Sequence, residues 1–230
     1  MSSPPHQRTE TASVPARGPL RIVTVGDSLA YGAGDESHEG LTGRLDEELR
    51  SRALQAEPSV NLGVNGAQTE DLLARLRQPR MRSAVGLASV VILSIGANDL
   101  FRTPGSREET LRAPLVVASR ILERIAGVVS ELHRINSGAR VLILGGYNPV
   151  PRHPQARIID RSIGFWDDAL AARFEEDPLV TIVPMADLIT PDRLSRFDFF
   201  HPGSVAYREV ARRIAGMLRE DSVSSSRPGR

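Results

Sequence analysis

A short apolar run, Ile22–Gly26, ends abruptly in the triplet Gly26-Asp27-Ser28. Such a run, rich in β-branched residues, predicts a buried strand, and the glycine that closes it predicts a tight turn. In α/β proteins with a parallel sheet, ligands bind at the carboxyl ends of the strands. The run therefore predicts a strand that delivers Ser28 to a site, although a serine in a strand-to-helix turn is equally typical of a helix cap.

The same alternation of an apolar run and an amphipathic helix recurs along the chain. Further strands are predicted at residues 59–64, 89–95, 140–146 and 179–183. Apolar residues at helical spacing predict helices at 41–49, 69–76, 115–135, 158–174 and 205–218. The run at 89–95 has no polar alternation, which is typical of a central strand covered on both faces. Together these elements predict a three-layer α/β/α sandwich around a five-stranded, mainly parallel sheet.

The chain has 230 residues, a length that suits one α/β domain. We expect this domain to span residues 19–219, between a disordered polar arm (1–18) and a disordered polar tail (220–230). The arm lacks the apolar core of a signal peptide, and no apolar run approaches the ~20 residues that span a bilayer. We therefore expect a cytoplasmic protein that does not insert stably into membranes, and the sequence leaves its oligomeric state open.

Composition excludes several kinds of chemistry. The chain contains no cysteine and no lysine, which excludes thiolate metal sites, cysteine nucleophiles, Schiff-base lysines and serine-lysine dyads. Its formal net charge of +1 gives no reason to expect a nucleic-acid partner. Gly32-Ala33-Gly34 lacks the third glycine of a dinucleotide loop, and no His, Asp or Glu cluster has metal-ligand spacing. We expect no cofactor and no metal.

A candidate general base lies near the C-terminus, in the segment Asp198-Phe-Phe-His201-Pro-Gly. At this spacing on one turn, the Asp198 carboxylate can accept the Nδ1 proton of His201 and direct Nε2 outward. The other four histidines lie in the arm, on an amphipathic helix or in loops, where we interpret them as surface residues. His201 is therefore our predicted base, with Ser28 as the nucleophile that it would activate.

Acyl transfer also requires hydrogen-bond donors for the oxyanion, which turns at strand ends supply. The candidates are the backbone N–H of Gly66, the side-chain amide of Asn98 and the backbone N–H of Ser28. Gly63 competes with Gly66, and we prefer Gly66 because it closes the turn before the helix. Asp27 and Asp99 are interpreted as structural acids that brace the turns. Whether the loops at 102–110 and 147–157 act as lids stays open.

Four blocks of the sequence resemble, in order, those of the GDSL or SGNH hydrolases. They are Gly26-Asp27-Ser28-Leu29, the glycine block with Gly66, Gly96-x-Asn98-Asp99 and Asp198-x-x-His201-Pro202. The resemblance, which covers residues 22–218, implies a flavodoxin-like SGNH fold and a triad of Ser28, His201 and Asp198. It also implies an oxyanion hole formed by Gly66, Asn98 and the Ser28 amide.

The expected activity is hydrolysis of carboxylic esters, with small or short-chain acyl groups, through an acyl-enzyme on Ser28. A thioesterase or an acyltransferase, in which an alcohol replaces water, would use the same triad. An alternative of another class is a non-catalytic α/β binding module with a vestigial triad. Members of the family act on several kinds of ester, so the resemblance does not select the acyl and alcohol groups.

Overall fold

The computed structural model describes residues 18–102 and 113–224. In these ranges one sheet has five strands, which are β1 (Ile22–Gly26), β2 (Val60–Gly63), β3 (Val90–Ser94), β4 (Arg140–Leu144) and β5 (Val180–Val183). All neighbouring strands are parallel, in the order β2-β1-β3-β4-β5. β1 therefore lies between β2 and β3, and the turns that follow these three strands meet at one edge of the sheet.

The strands alternate with helices, as expected when every connection between parallel strands is a crossover. The helices are α1 (Ser28–Tyr31), α2 (Gly40–Ser51), α3 (Thr69–Leu76), α4 (Pro79–Leu87), α5 (Ala97–Arg102), α6 (Pro114–Ile135), α7 (Ala156–Arg173) and α8 (Ser204–Ser224). A single 3₁₀ turn at Pro191–Arg193 lies between β5 and α8. Among the described helices, none combines the length and the apolar character that crossing a membrane requires.

Two apolar cores, one on each face of the sheet, hold the three layers together. Every residue of β1 and β3 is buried, and alternate residues of each strand face opposite cores. Val91 and Leu93 pack in the core covered by α3, α4, α6 and α7, whereas Val90 and Ile92 pack in the core covered by α2 and α8. The absence of polar alternation in β3 follows from this two-sided burial.

The predicted three-layer fold and five parallel strands are confirmed, with strand ends shifted by one or two residues. α1, α4 and α5 were not predicted, because all three are short and α4 buries only Met81 and Val85. α8 extends six residues beyond its predicted end at Leu218. Of the predicted loop at 102–110, only Arg102 belongs to the described residues, where it ends α5. Residues 1–17 and 225–230, from the predicted arm and tail, also lie outside the described ranges.

Candidate active site

The turn after β1 places Ser28 at the carboxyl edge of the sheet, as the first residue of α1. Gly26 holds a left-handed φ of 129°, and a Cβ at this position would lie 1.7 Å from the backbone oxygen of Ser94. Only glycine fits there. Asp27 caps α1, since its Oδ1 accepts from the backbone N–H of Leu29 at 3.1 Å. The capping role that the sequence left open for Ser28 therefore belongs to Asp27.

Asp27 is buried, and the same Oδ1 accepts a second hydrogen bond, from Ser94 Oγ at 2.8 Å. Burial raises the pKa of Asp27 to about 6, against the opposing effects of these hydrogen bonds and of the nearby His201 charge. Asp27 thus joins β1, β3 and α1, in agreement with its predicted bracing role.

His201 and Asp198 are in direct contact on the loop that precedes α8. The distance from His201 Nδ1 to Asp198 Oδ2 is 2.6 Å. The other oxygen, Oδ1, accepts from the backbone N–H groups of Phe200 and His201, both at 2.9 Å. Burial alone would raise the pKa of Asp198, but the hydrogen bonds from the His201 ring and from these two N–H groups lower it below its usual value. The carboxylate stays ionised and holds the ring by Nδ1, which leaves Nε2 available for other partners.

The loop that carries Asp198 and His201 is fastened to the segment that follows α1. Glu36 accepts from the backbone N–H of Arg196 at 2.9 Å and from that of Ser204 at 2.7 Å. Ser204 Oγ also donates to Glu36 and to Asp35. These hydrogen bonds outweigh burial and lower the pKa of Glu36 to about 2. We call Asp35 and Glu36 the acidic clamp. The sequence analysis missed it, because the clamp and its partners are about 160 residues apart.

Gly34 brings the same two segments into backbone contact. Its φ is 88°, and a Cβ built on it would lie 2.6 Å from His201 Cβ and 2.8 Å from the backbone oxygen of Pro202. Tyr207 Oη reinforces the contact by donating to the backbone oxygen of Ala33 at 2.7 Å. The glycine pair that did not fit a dinucleotide loop therefore has another role, since Gly34 allows the His201 loop to approach the segment after Ser28.

The end of β2 and the turn after it contain the two glycine candidates for the oxyanion hole. The N–H of Gly63 donates to Asn61 Oδ1 at 2.9 Å, and a Cβ on Gly63 would lie 2.3 Å from the backbone nitrogen of Tyr31. Gly63 is thus needed for close packing of α1 against β2. Gly66 has a φ of 81° and lies in the turn that leads into α3. The donor role that the sequence suggested for Gly66 stays a prediction.

Asn98 lies in the neighbouring turn, at the start of α5. Its Nδ2 donates to the backbone oxygen of Ala67 at 3.0 Å, so its amide lies against the residue that follows Gly66. An amide carries two N–H groups, and this bond uses one. Asp99 accepts from the backbone N–H and the hydroxyl of Thr69 at 2.9 and 2.6 Å, and from Arg124 at 3.1 Å. Asp99 therefore fastens α3 to α5, in agreement with a bracing role.

Tyr147, on the loop after β4, is a further residue of this region that the sequence analysis did not single out. Its hydroxyl donates to the backbone oxygen of Phe200 at 3.1 Å. Burial, together with the negative charges of Asp27 and Asp198, raises its pKa, so the phenol stays protonated and keeps this bond. The sequence feature that could have indicated Tyr147 is its position next to Gly146, at the end of a predicted strand.

A second histidine-carboxylate pair lies elsewhere. His133 Nδ1 is 3.5 Å from Asp177 Oδ2, beside a cavity of about 470 Å³. His133 is near the end of α6 and Asp177 precedes β5, so the pair is at the amino edge of the sheet, opposite Ser28. The sequence did not reveal it, because 44 residues separate the two side chains. Within residues 18–102 and 113–224, no group of three or more His, Asp or Glu side chains could hold a metal ion.

Comparison with known proteins places the chain in a family. YpmR of Bacillus subtilis, an uncharacterized protein, is 26% identical over 212 residues, which are 88% of this chain and 82% of YpmR. The spore germination lipase LipC of Bacillus licheniformis is 22% identical over 85% of this chain and 94% of its own. The solved structure of the lipase Lip_vut3 from a goat rumen metagenome has a TM-score of 0.71 at 22% identity, and covers 86% of this chain and 96% of its own. Residues 24–209 match the model of the GDSL-like Lipase/Acylhydrolase family, and because this match spans most of the chain, the protein belongs to that family.

Proposed function

We propose that the chain is a hydrolase of carboxylic esters that works through an acyl-enzyme on Ser28. The observation that carries the proposal is the His201-Asp198 contact of 2.6 Å, on a loop that the acidic clamp and Gly34 fasten to the segment following Ser28. An imidazole oriented by a carboxylate is the general base that a serine nucleophile requires, which supports Ser28 and His201 in these roles. Membership of the GDSL-like family supports an ester hydrolase.

In the acylation step, Ser28 Oγ attacks the ester carbonyl carbon while His201 Nε2 takes the hydroxyl proton. The new bond joins Oγ to the carbonyl carbon. The bond from that carbon to the alcohol oxygen then breaks, and His201 transfers the proton to this oxygen, so the alcohol leaves as a neutral molecule. Asp198 holds the imidazole through Nδ1 and stabilises the imidazolium that forms between the two proton transfers.

Deacylation repeats these steps with water. His201 takes a proton from water, the water oxygen attacks the acyl carbon, and the bond to Ser28 Oγ breaks as Oγ regains a proton from His201. The carboxylic acid is released and the starting state returns. With an added alcohol in place of water, the same steps would transfer the acyl group, so product analysis with and without an alcohol separates hydrolysis from acyl transfer.

Each tetrahedral intermediate carries an oxyanion. The proposed donors are the backbone N–H groups of Ser28 and Gly66 and the Asn98 side-chain N–H that does not donate to Ala67. These groups belong to the turns after β1, β2 and β3, which are adjacent in the sheet. One such donor typically lowers the barrier by ~3 kcal/mol. Asn98→Ala should accordingly reduce kcat about 100-fold or more.

The deciding experiment compares the wild-type chain with Ser28→Ala. Wild type is expected to hydrolyse a panel of p-nitrophenyl esters and to gain the mass of one fluorophosphonate label, whereas Ser28→Ala does neither. Ser130→Ala, which changes an exposed serine on α6, is the matched control and should behave as wild type. Near-native turnover by Ser28→Ala with an unchanged circular dichroism spectrum would exclude Ser28 as the nucleophile. A wild-type chain that neither turns over esters nor takes the label would instead indicate a binding module.

A further inference from the structure

Three exposed phenylalanines surround the proposed catalytic pair. The chain has only six phenylalanines, and Phe197, Phe199 and Phe200 lie within four consecutive positions that also contain Asp198. Their exposed fractions are 65%, 66% and 38%. Clustered apolar exposure of this kind marks surfaces that bind apolar groups. We call these three residues the phenylalanine patch.

Hydrogen bonds donated by backbone N–H groups of the patch hold it against Ser195. The N–H of Phe197 donates to Ser195 Oγ at 3.1 Å, and that of Phe199 donates to the backbone oxygen of Ser195 at 2.9 Å. Phe199 has a φ of 54°, a left-handed conformation that bulky residues seldom adopt. Backbone strain of this kind clusters at functional sites. Neither folding nor the local turn explains an exposed phenylalanine at this position, since glycine or asparagine would suit the backbone better.

The patch is next to the imidazole. The ring centroids of Phe200 and His201 are 5.1 Å apart with an edge-on geometry, and Phe197 stacks on His38 at 6.3 Å. His38 follows the acidic clamp, so the patch extends across both loops that border the proposed base. Its rings therefore lie on the histidine side of the site, whereas Gly66 and Asn98 come from turns that lead into the opposite helix layer.

The proposed reaction indicates which part of the ester lies on the histidine side of the site. His201 Nε2 must give its proton to the oxygen of the leaving alcohol, so that oxygen lies within hydrogen-bond distance of the imidazole and the alcohol portion extends beside the ring. On the basis of the function proposed above, we propose that the phenylalanine patch binds an apolar alcohol portion of the ester. The preferred substrates are then esters of longer alkyl or aryl alcohols, and Phe197 and Phe199 determine specificity for the leaving group.

The test separates the two ends of the ester. One series holds the acyl group as acetate and lengthens a straight-chain alcohol from ethanol to hexanol. The other holds ethanol and lengthens the acid from acetate to hexanoate. All esters are used as dissolved monomers, and kcat/KM is measured by acid release for wild type, Phe197→Ser and Phe199→Gly. The glycine suits the left-handed backbone at residue 199, so this variant keeps the turn. Phe165→Ser, which alters a 74% exposed phenylalanine on α7, is the control.

Wild type should prefer the hexyl over the ethyl ester by about tenfold or more, a modest value for four methylenes against an open apolar surface. Phe197→Ser and Phe199→Gly should each reduce this ratio to about threefold or less, without changing the ratio between the hexanoate and acetate esters. Phe165→Ser should leave both ratios as in wild type.

Three results would overturn the assignment while leaving the proposed function intact. The first is turnover that does not depend on alcohol length, and the second is a loss of the acid-length preference in the patch variants. The third combines two measurements: the patch variants keep the alcohol preference of wild type but, unlike wild type, no longer sediment with phosphatidylcholine vesicles. That result would show that the patch binds a lipid surface and not the leaving alcohol. Failure of the proposed function itself gives a different result, because the wild-type chain would then hydrolyse no ester and take no fluorophosphonate label.

Discussion

Replacing Asp198 by asparagine changes one atom of the proposed triad and leaves the loop hydrogen bonds in place. In wild type, Oδ1 accepts two backbone N–H groups and Oδ2 contacts His201 Nδ1. The asparagine oxygen can take the place of Oδ1, so both backbone bonds remain. Its NH₂ group then faces Nδ1 and can only donate, which makes Nδ1 an acceptor and puts the imidazole proton on Nε2. A protonated Nε2 cannot accept the hydroxyl proton of Ser28.

This wrong tautomer lowers kcat by ~10⁴-fold in serine-protease triads, and we expect a loss of the same order here, equivalent to ~5 kcal/mol in the barrier. KM should change far less, since the interaction with the imidazolium exists only in the transition state. Because the side chain of Asp198 is 38% exposed and the turn is preserved, the free energy of unfolding should change by ~1 kcal/mol or less. The measurements are steady-state ester hydrolysis and urea unfolding.

The control is Asp192→Asn, which removes an exposed carboxylate from the 3₁₀ turn just before the same loop. It should keep wild-type kcat and stability. If Asp198→Asn kept kcat within tenfold of wild type while remaining folded, Asp198 would not be the triad acid and the tautomer argument would be wrong. A fall in kcat that accompanied a large loss of stability would likewise contradict it, since the backbone bonds are predicted to survive.

Three further substitutions test the bracing groups. The pKa of Asp27 is about 6 in the folded chain against an ordinary 3.8, so wild type loses stability as pH rises from about 4 to 6. Asp27→Asn should therefore gain ~2 kcal/mol relative to wild type between pH 4.5 and 8 in urea unfolding. A difference that is the same at both pH values would refute this reasoning. Asp99→Asn weakens the bonds from Thr69 and Arg124 and should cost about 1–3 kcal/mol of unfolding free energy, with kcat near wild type at 25 °C. Gly34→Ala should lower kcat/KM roughly tenfold or more, because the new methyl group displaces His201. An unchanged kcat/KM would show that the close contact between Gly34 and the His201 loop is not needed.

Local patterns in the sequence were sufficient to predict the layers and the strand-edge turns. A continuous apolar run such as β3 can be satisfied only by burial on both faces, and its abrupt end at Gly96 marks the site edge. The contact between Asp198 and His201 was predictable for the same reason, since three residues on one turn determine it. Such features depend on neighbours in the chain, which the sequence displays directly.

Features that join distant segments could not be predicted in this way. Glu36 occurs in a polar loop with no periodic pattern, and nothing near it indicates that its partners are the backbone N–H groups of Arg196 and Ser204. The packing role of Gly63 likewise depends on the position of α1 against β2, which no local pattern displays. Asparagine or glutamine at position 36 would give the same local prediction, so only the packed structure identifies a carboxylate there as a clamp.

The acidic clamp explains how a loop far along the chain can be held close to the segment that follows Ser28. Ser28 is fixed by the β1 turn, but His201 lies on a long connection after β5, on which most residues near Asp198 are exposed. A carboxylate that accepts several charge-assisted hydrogen bonds is a strong anchor for such a loop. Because the pKa of Glu36 is lowered to about 2, the anchor stays ionised wherever the proposed base is neutral, so the clamp does not titrate in the pH range of the reaction. The segment that follows Ser28 therefore also holds the loop that carries the proposed base.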